Sequence, residues 1–421
     1  MPIRFIHAAD VHLDSALSGL SSCPEAPLDM LRTAPRRAFE GLIDEAITGQ
    51  VDFVVIAGDL YDGTWKDFNT GLFFAAQMGR LRGANIRVVV LYGNHDAESD
   101  LSPSLRLRLP DNVHVFGSRK AETIKFDDLH VAIHGQSFRQ RAVSENLVKQ
   151  YPERVPGWLN IGVLHTALGG REGHEPYAPC NLDDLRGRGY QYWALGHAHE
   201  YEIVCECPWV VFPGNLQGRN VRETGARGAM LVEADGDAIV SVSRLAEDVL
   251  RWEDIRVDVQ GCATANEAIA RAEARFVTAL DMAGGRPIAA RVTLFGKTAA
   301  HGELFGAESH VRAELQAAAL AHGAERLWIE KLRLATEPAW SAAEIEARGD
   351  AVADLHVMLE QAPGDADLLR ALEEELAEMI SKLEPEVRTA SDPMLSAIRE
   401  NRLGDIIREI APALVARVAG D

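Results

Sequence analysis

Asp52–Gly63, DFVVIAGDLYDG, is the stretch whose reading sets the fold. Phe53-Val54-Val55-Ile56-Ala57 is a short apolar run rich in β-branched residues, the pattern of a strand buried on both faces. It stops abruptly at Gly58-Asp59. A carboxylate in that position lies at the C-terminal edge of a sheet, where ligands of open α/β sheets collect. Four other strand-like runs end in metal-type residues: Asp10-Val11-His12, Gly93-Asn94-His95-Asp96, Leu164-His165 and Gly196-His197-Ala198-His199.

The flanking sequence supplies the rest of an α/β layout. Ile3–Ala9 reads as a strand, and Thr33–Gln50 as a helix with Ala38, Leu42, Ala46 and Ile47 on one face. A second helix covers Phe68–Arg82, followed by the strand Ile86–Tyr92. From Val113 onward short strands follow one another with few helices between them, which predicts a two-sheet layered domain over residues 1–250. Residues 251–340 read as β-α-β-α-β, a small second α/β domain. Residues 341–421 read as an acidic helical tail with segments Glu344–Gln361, Ala366–Leu383 and Pro393–Ala419. Its apolar stripe Leu368, Leu369, Leu372, Leu376, Met379, Ile380, Leu383 reads either as packing on its own domain or as a face that docks a partner.

A chain of 421 residues exceeds one ordinary core, and 47% hydrophobic with 25% charged residues is globular composition. No apolar run reaches spanning length, and MPIRFIHAAD lacks the layout of a secretory leader, so a cytoplasmic protein with no membrane association is expected. Five scattered cysteines with no Cys-x-x-Cys spacing argue against a disulfide framework or structural zinc, and Cys205 and Cys207 read as small buried side chains. The net charge of −20 argues against gripping nucleic acid unaided by bulk electrostatics, although bound cations would reverse the sign locally.

The strand ends carry the chemistry. Asp10 and His12 are two apart, as are His197 and His199; in an extended strand each pair shares a face, and in a turn its members stay close. Asp10, His12, Asp59, Asn94, His165, His197 and His199 form a mixed oxygen and nitrogen set that suits Mn²⁺, Fe²⁺, Co²⁺ or Zn²⁺ better than Mg²⁺ or Ca²⁺. Seven ligands exceed one tetrahedral site but serve two ions if a carboxylate, Asp59, is shared. Two metals roughly 3.5–4 Å apart clamp a phosphoester and acidify a water between them, and a neighbouring imidazolium could protonate the leaving oxygen. Gly296-Lys297-Thr298 imitates the end of a P-loop, but Arg291 stands where its first glycine belongs. His7, His114, His130, His134 and His174 have no paired spacing and read as structural or surface residues.

The ordered motifs AADVHLDS, VVIAGDLYDG, LYGNHD, VLHTA and ALGHAHE resemble the calcineurin-like metallophosphoesterase superfamily. Their wording, with FPGNLQGRNVRETGARGAMLVE, is similar to the YhaO-like branch of the SbcD-type DNA repair exonuclease family. The resemblance implies a four-layer α/β/β/α sandwich over residues 1–250; over the small capping domain 251–340 it is architectural only, and it does not cover the tail 341–421, whose partner-docking reading rests on its apolar stripe. It implies a first metal held by Asp10, His12, Asp59 and His199, and a second by Asp59, Asn94, His165 and His197. His95 would be the catalytic general acid and Asp96 would steady the loop. Some relatives carry His at the position of Asp62, which bears on the balance of exonuclease and endonuclease action. Arg219, Arg222 and Arg227 could meet backbone phosphates, and Arg219 and Arg222 are the candidate substrate-binding residues. The implied activity is an exonuclease on duplex DNA ends, with endonuclease action open, using two divalent ions, Mn²⁺ first and Fe²⁺, Co²⁺ or Zn²⁺ as alternatives. The implied partners are DNA and an SbcC/YhaN-like coiled-coil ATPase, with a homodimer also open. The alternatives are a small-molecule phosphodiesterase or phosphatase on the same centre, or a non-catalytic DNA-tethering scaffold.

Overall fold

The computed structural model describes residues 2–15, 17, 28–62, 68–97, 108–169, 177–339, 341–381, 398, 400 and 402–419. Cys23, His174, Leu383 and the start of the segment at Pro393 lie outside them. The chain divides into two compact units, Met1–Glu253 with Ala283–Ala289, and Asp254–Met282 with Ala290–Asp421.

The first unit holds two six-stranded sheets. In the first, the strands β1 (Pro2–Ala8), β2 (Phe53–Ala57), β3 (Arg87–Leu91) and β4 (Val113–Val115) run parallel. The helices α1 (Leu28–Thr48) and α2 (Phe68–Gly83) fall between them in sequence, and α3 (Asn94–Ala97) follows β3. The antiparallel pair β11 (Gly228–Asp235) and β12 (Ala238–Ala246) extends the β1 side. The second sheet has the order β5-β6-β7-β8-β10-β9, with β6 (Val131–Gly135), β7 (Leu159–His165), β8 (Tyr192–Gly196) and β10 (Trp209–Phe212) parallel. Its antiparallel edges are β5 (Glu122–Phe126) and β9 (Glu202–Glu206).

The pleat explains the unbroken apolar run of β2. Phe53, Val55 and Ala57 point between the sheets, against Ile133, Ile161, Val163 and Tyr192. Val54 and Ile56 point the other way, onto Ala38, Phe39 and Leu42 of α1 and Phe74 and Met78 of α2. On the outer face of the second sheet, Trp193, Leu195 and Phe212 are covered by Tyr151 and by Leu185 of α4 (Leu182–Arg186). The layers therefore run helix, sheet, sheet, helix, with the fourth built from one five-residue helix, a single 3₁₀ turn at Leu147–Gln150 and loop. Cys205 is half-buried and Cys207 exposed, contrary to the buried expectation, because the β9–β10 hairpin is the edge of its sheet.

The second unit carries the sheet β13 (Arg251–Asp258), β14 (Ile288–Thr298), β15 (Leu327–Pro338). Its helices are α5 (Ala265–Met282), α6 (His301–Gly306), α7 (Glu308–Ala321), α8 (Ala342–Glu346), α9 (Ala351–Gln361), α10 (Ala366–Ser381) and α11 (Leu403–Ala419). The helix expected over Glu344–Gln361 is two helices: Gly349 takes φ +64° and the Asp350 side chain accepts from Val352 N and Ala353 N, capping a new start. Val415 of α11 packs with Ile345 and Val352, so part of the tail builds a core of its own. Of the α10 stripe, Leu368 and Met379 are exposed and Leu369, Leu372, Leu376 and Ile380 half-buried. Among the described residues no helix is long and apolar enough to cross a membrane.

Candidate metal centre

The C-terminal ends of β1, β2 and β3 in one sheet and of β7 and β8 in the other bring their loops to one place. Three of these loops, those after β1, β2 and β8, turn at once through left-handed backbone: φ is 49° at Asp10, 46° at His12, 50° at Asp59 and 97° at His197. Non-glycine residues are costly there, and strain of this kind gathers at functional sites. The spacing in Asp10-Val11-His12 and His197-Ala198-His199 is thus used by turns. The loops interlock through Asp10 N donating to Gly58 O, His12 N to Asp59 O, and His197 N to the Asp10 carboxylate at 3.0 Å. Two glycines are required by close approach: a Cβ on Gly58 would lie 2.2 Å from His165 Nδ1, and one on Gly93 would lie 2.3 Å from Asp59 Oδ1.

Asp10, His12 and His199 each offer a ligand atom within 4.8 Å of one another, as do Asp10, Asp59 and His165. Asp59 Oδ2 is 3.5 Å from His165 Nε2 and 4.0 Å from His12 Nε2, which places it between the two groups. Asn94 Oδ1 lies 2.9 Å from His165 Nε2. The His197 ring stands 5.2 Å from the His165 ring. All seven residues assigned as ligands from the motifs therefore converge.

The donor set fits a bound cation. His165 Nδ1–H donates to Ala57 O at 3.0 Å, so in a neutral ring Nε2 is a lone pair facing the oxygens of Asn94 and Asp59. Three acceptors around one point want a positive charge between them. In the bare protein a proton takes that place: burial would depress the His165 pKa, but the Asp59 and Asp10 charges override it and lift it to about 9. His12 is buried with Nδ1 3.4 Å from Asp62 Oδ1, and burial presses its pKa down to about 4, which keeps it a neutral ligand.

The neighbouring residues divide into those that position ligands and those that face the centre. Asp96 accepts from Leu60 N, Tyr61 N and Gly93 N at 2.8–3.2 Å, so it ties the Gly58-Asp59 loop to the Gly93-Asn94 loop. His95 N donates to Asp59 Oδ1, and His95 Nδ1 lies 3.1 Å from Asp62 Oδ1. Hydrogen bonds from His12 and His95 hold the Asp62 carboxyl well below the usual range, and the same contact raises the His95 pKa. Asp62 thus steadies the imidazole cast as general acid. Arg219 Nη1 is 3.8 Å from Asp62 Oδ1 and Nη2 is 3.3 Å from His199 Nδ1, so Arg219 joins the cluster. Arg222 is exposed and its side chain makes no contact with the cluster among the described residues. Arg227 is buried and bound to His199 O, to Glu200 Oε1 at 2.7 Å and to Thr224 O, which ends its candidacy as a phosphate contact.

Glu223 lies in the segment Phe212–Glu233, but the sequence does not single it out as a site residue. Its Oε1 lies 2.8 Å from His199 Nδ1, and it also accepts from Asn215 Nδ2 and Arg219 N. Burial would raise its pKa, but the His199 hydrogen bond and the Arg219 charge bring it below the usual carboxylate range. A carboxylate holding the far nitrogen of a ligating histidine fixes its tautomer and strengthens it as a ligand. Glu223 sits at no strand end and has no fixed spacing to His199, so sequence pattern alone does not mark it. Glu223→Gln is expected to weaken metal binding about 10- to 100-fold, read by metal titration of the apoprotein; unchanged affinity would remove this role.

The calcineurin-like phosphoesterase family matches residues 3–201. Residues 3–201 are thus similar to a calcineurin-like phosphoesterase domain. The family described as the middle domain of metallophosphoesterase YhaO matches residues 252–337. Over 262 residues the chain is 39% identical to an uncharacterized metallophosphoesterase YhaO of Bacillus subtilis, covering 61% of this chain and 63% of that protein. It is 30% identical over 266 residues to the DNA double-strand break repair protein Mre11 of Methanopyrus kandleri, covering 56% of this chain and 55% of the relative. It is 30% identical over 128 residues to the D component of the nuclease SbcCD of Bacillus subtilis, covering 30% of each. The chain thus spans less than two thirds of the length of these relatives. All seven residues of the cluster just described lie within the matched stretch.

Proposed function

We propose that the chain is a metal-dependent DNA nuclease that hydrolyses phosphodiester bonds at duplex ends. The observation that carries the hydrolytic half is the convergence of seven candidate ligand residues near Asp59 beside a histidine close to Asp62. The DNA half is supported by relatives named for double-strand break repair and for a nuclease, at lower identity than the YhaO relative.

Divalent ions held by Asp10, His12, Asp59, Asn94, His165, His197 and His199 would supply positive charge for the phosphoryl oxygens and an acidified water. The chain's own residues do the rest. His95, anchored through Nδ1 to Asp62, keeps Nε2 for handing a proton to the leaving oxygen. Arg219 brings a guanidinium beside His199 and Asp62, where a non-bridging phosphate oxygen can accept from it. Glu223 holds both Arg219 and His199 in place. With a net charge of −20, grip on DNA is expected to come largely from a partner, and an SbcC/YhaN-like coiled-coil ATPase is the partner we propose. The test is incubation with Mn²⁺ and end-labelled duplex DNA, with and without that ATPase. Release of labelled nucleotides is expected. Intact DNA in both conditions, with bis(p-nitrophenyl) phosphate hydrolysed, would instead assign the centre to small phosphodiesters, a reading the lack of a basic stripe in the sequence favours.

A further inference from the structure

Beside the metal centre, at the same edge of the first unit, lies a second cleft of about 230 Å³. It is lined by Ser118 and Arg119, which follow β4, by Gln136 and Arg139, which follow β6, and by Ser144 and Glu145. Its wall is continuous with the centre. Ser137, also lining it, accepts from Tyr92 N at 3.0 Å, and Phe138 N donates to Tyr92 O, two residues before Asn94. The Phe138 ring stands 5.6 Å from His165. The cleft therefore lies on the Asn94–His165 side of the centre.

Its lining carries two cations. The arginines Arg82, Arg87 and Arg186 are each tied to an aspartate. Arg119 and Arg139 have no ion-pair or hydrogen-bond partner among the described residues, although both are exposed on a chain of net charge −20. Gln136 is 7% exposed; its Nε2 donates to Ser118 O at 3.3 Å while its Oε1 is buried with no hydrogen-bond partner. A buried amide oxygen left unsatisfied is costly. Two guanidiniums with no ion-pair partner among the described residues, in a cleft also lined by Ser118, Ser144 and Glu145, match a nucleotide unit: a phosphate for the arginines, and a sugar hydroxyl or base N–H for the neighbouring polar groups.

We infer that this cleft is a subsite for the nucleotide adjoining the scissile phosphodiester. The inference rests on the phosphodiesterase reading above and deepens it. A phosphate held at the metal centre leaves the next backbone phosphate one nucleotide away, along the wall that Tyr92, Ser137 and Phe138 build. The subsite makes the domain a reader of chains over isolated phosphate esters.

The test uses chromogenic diesters that differ only in a second phosphate: thymidine 5′-(p-nitrophenyl phosphate) with and without a 3′-phosphate, and thymidine 3′-(p-nitrophenyl phosphate) with and without a 5′-phosphate. In one pair the added phosphate is expected to raise kcat/KM at least about tenfold, the scale of a charge-assisted contact. Arg119→Gln with Arg139→Gln should erase that gain and leave bis(p-nitrophenyl) phosphate turnover at the wild-type rate. Arg119→Lys with Arg139→Lys should restore part of it. Indifference of the wild type to the second phosphate in both pairs would overturn the inference. So would a Gln variant that keeps the gain or loses all substrates equally. If the second-phosphate gain is present but duplex DNA stays intact, the subsite stands and the nuclease reading falls; DNA cleavage without the gain gives the reverse.

Discussion

His95→Asn is expected to lower kcat for phosphodiesters by about 10²- to 10⁴-fold, the usual worth of a positioned general acid, while metal content stays at the wild-type level. The separation follows from geometry. His95 contributes no atom to the two groups around Asp10 that hold the assigned ligands; its one candidate group is with His12 and Asp62, and its ring lies 3.1 Å from Asp62. Its backbone N–H, which supports Asp59, is kept in the variant. The loss should depend on the leaving group. An ester that departs as p-nitrophenolate needs little protonation and should suffer less than DNA, whose leaving alkoxide needs a proton. Asp62→Asn should give a smaller loss of the same kind, since it keeps the shape but weakens the hold on the ring. Steady-state kinetics on both substrates, with metal analysis of the same samples, check this. Loss of metal in His95→Asn, or equal losses on both substrates, would contradict the role.

Asp59→Ala should leave at least one metal equivalent unbound and abolish turnover. Asp59 is buried with Oδ2 facing His165 and His12 from opposite groups, and Oδ1 accepting from His95 N. Without it, His165 and His12 lose their shared carboxylate, and the buried His95 N–H loses its acceptor, so local order should fall as well. Asp59→Asn keeps the acceptor and the volume and removes only the charge. It separates metal binding from folding, and it too should bind fewer ions by metal analysis. Full occupancy in both variants would remove Asp59 from the bridging position.

Much of this was open to reading in the sequence, for a physical reason. A parallel strand buried on both faces must be apolar throughout, and its chemistry must wait until the chain leaves the sheet. The change from VVIA to GDLYD therefore marks both the strand and the site. The glycines belong to the same logic: Gly58 and Gly93 stand where the loops approach His165 and Asp59 too closely for a Cβ. Helix ends were less legible. The tail helix expected over Glu344–Gln361 breaks at Gly349 and restarts at Asp350, a left-handed turn and a side-chain cap that periodicity does not report.

The arginines and Glu223 show where sequence runs out. Arg219, Arg222 and Arg227 lie within nine positions and look alike as text. Only the packing of the loop after β10 tells them apart, with Arg219 over His199, Arg222 in solvent and Arg227 buried against His199 O. Glu223 reaches His199 across 24 positions, and Arg119 and Arg139, without an ion-pair or hydrogen-bond partner among the described residues, share a cleft from different strand ends. By itself the sequence determined the layered α/β architecture and pointed to seven candidate ligands and a candidate acid, because strand burial and metal chemistry both restrict residue type at each position. The tertiary structure alone decided which charges pair with which, because ion pairs and clefts depend on distances between segments that no local pattern encodes.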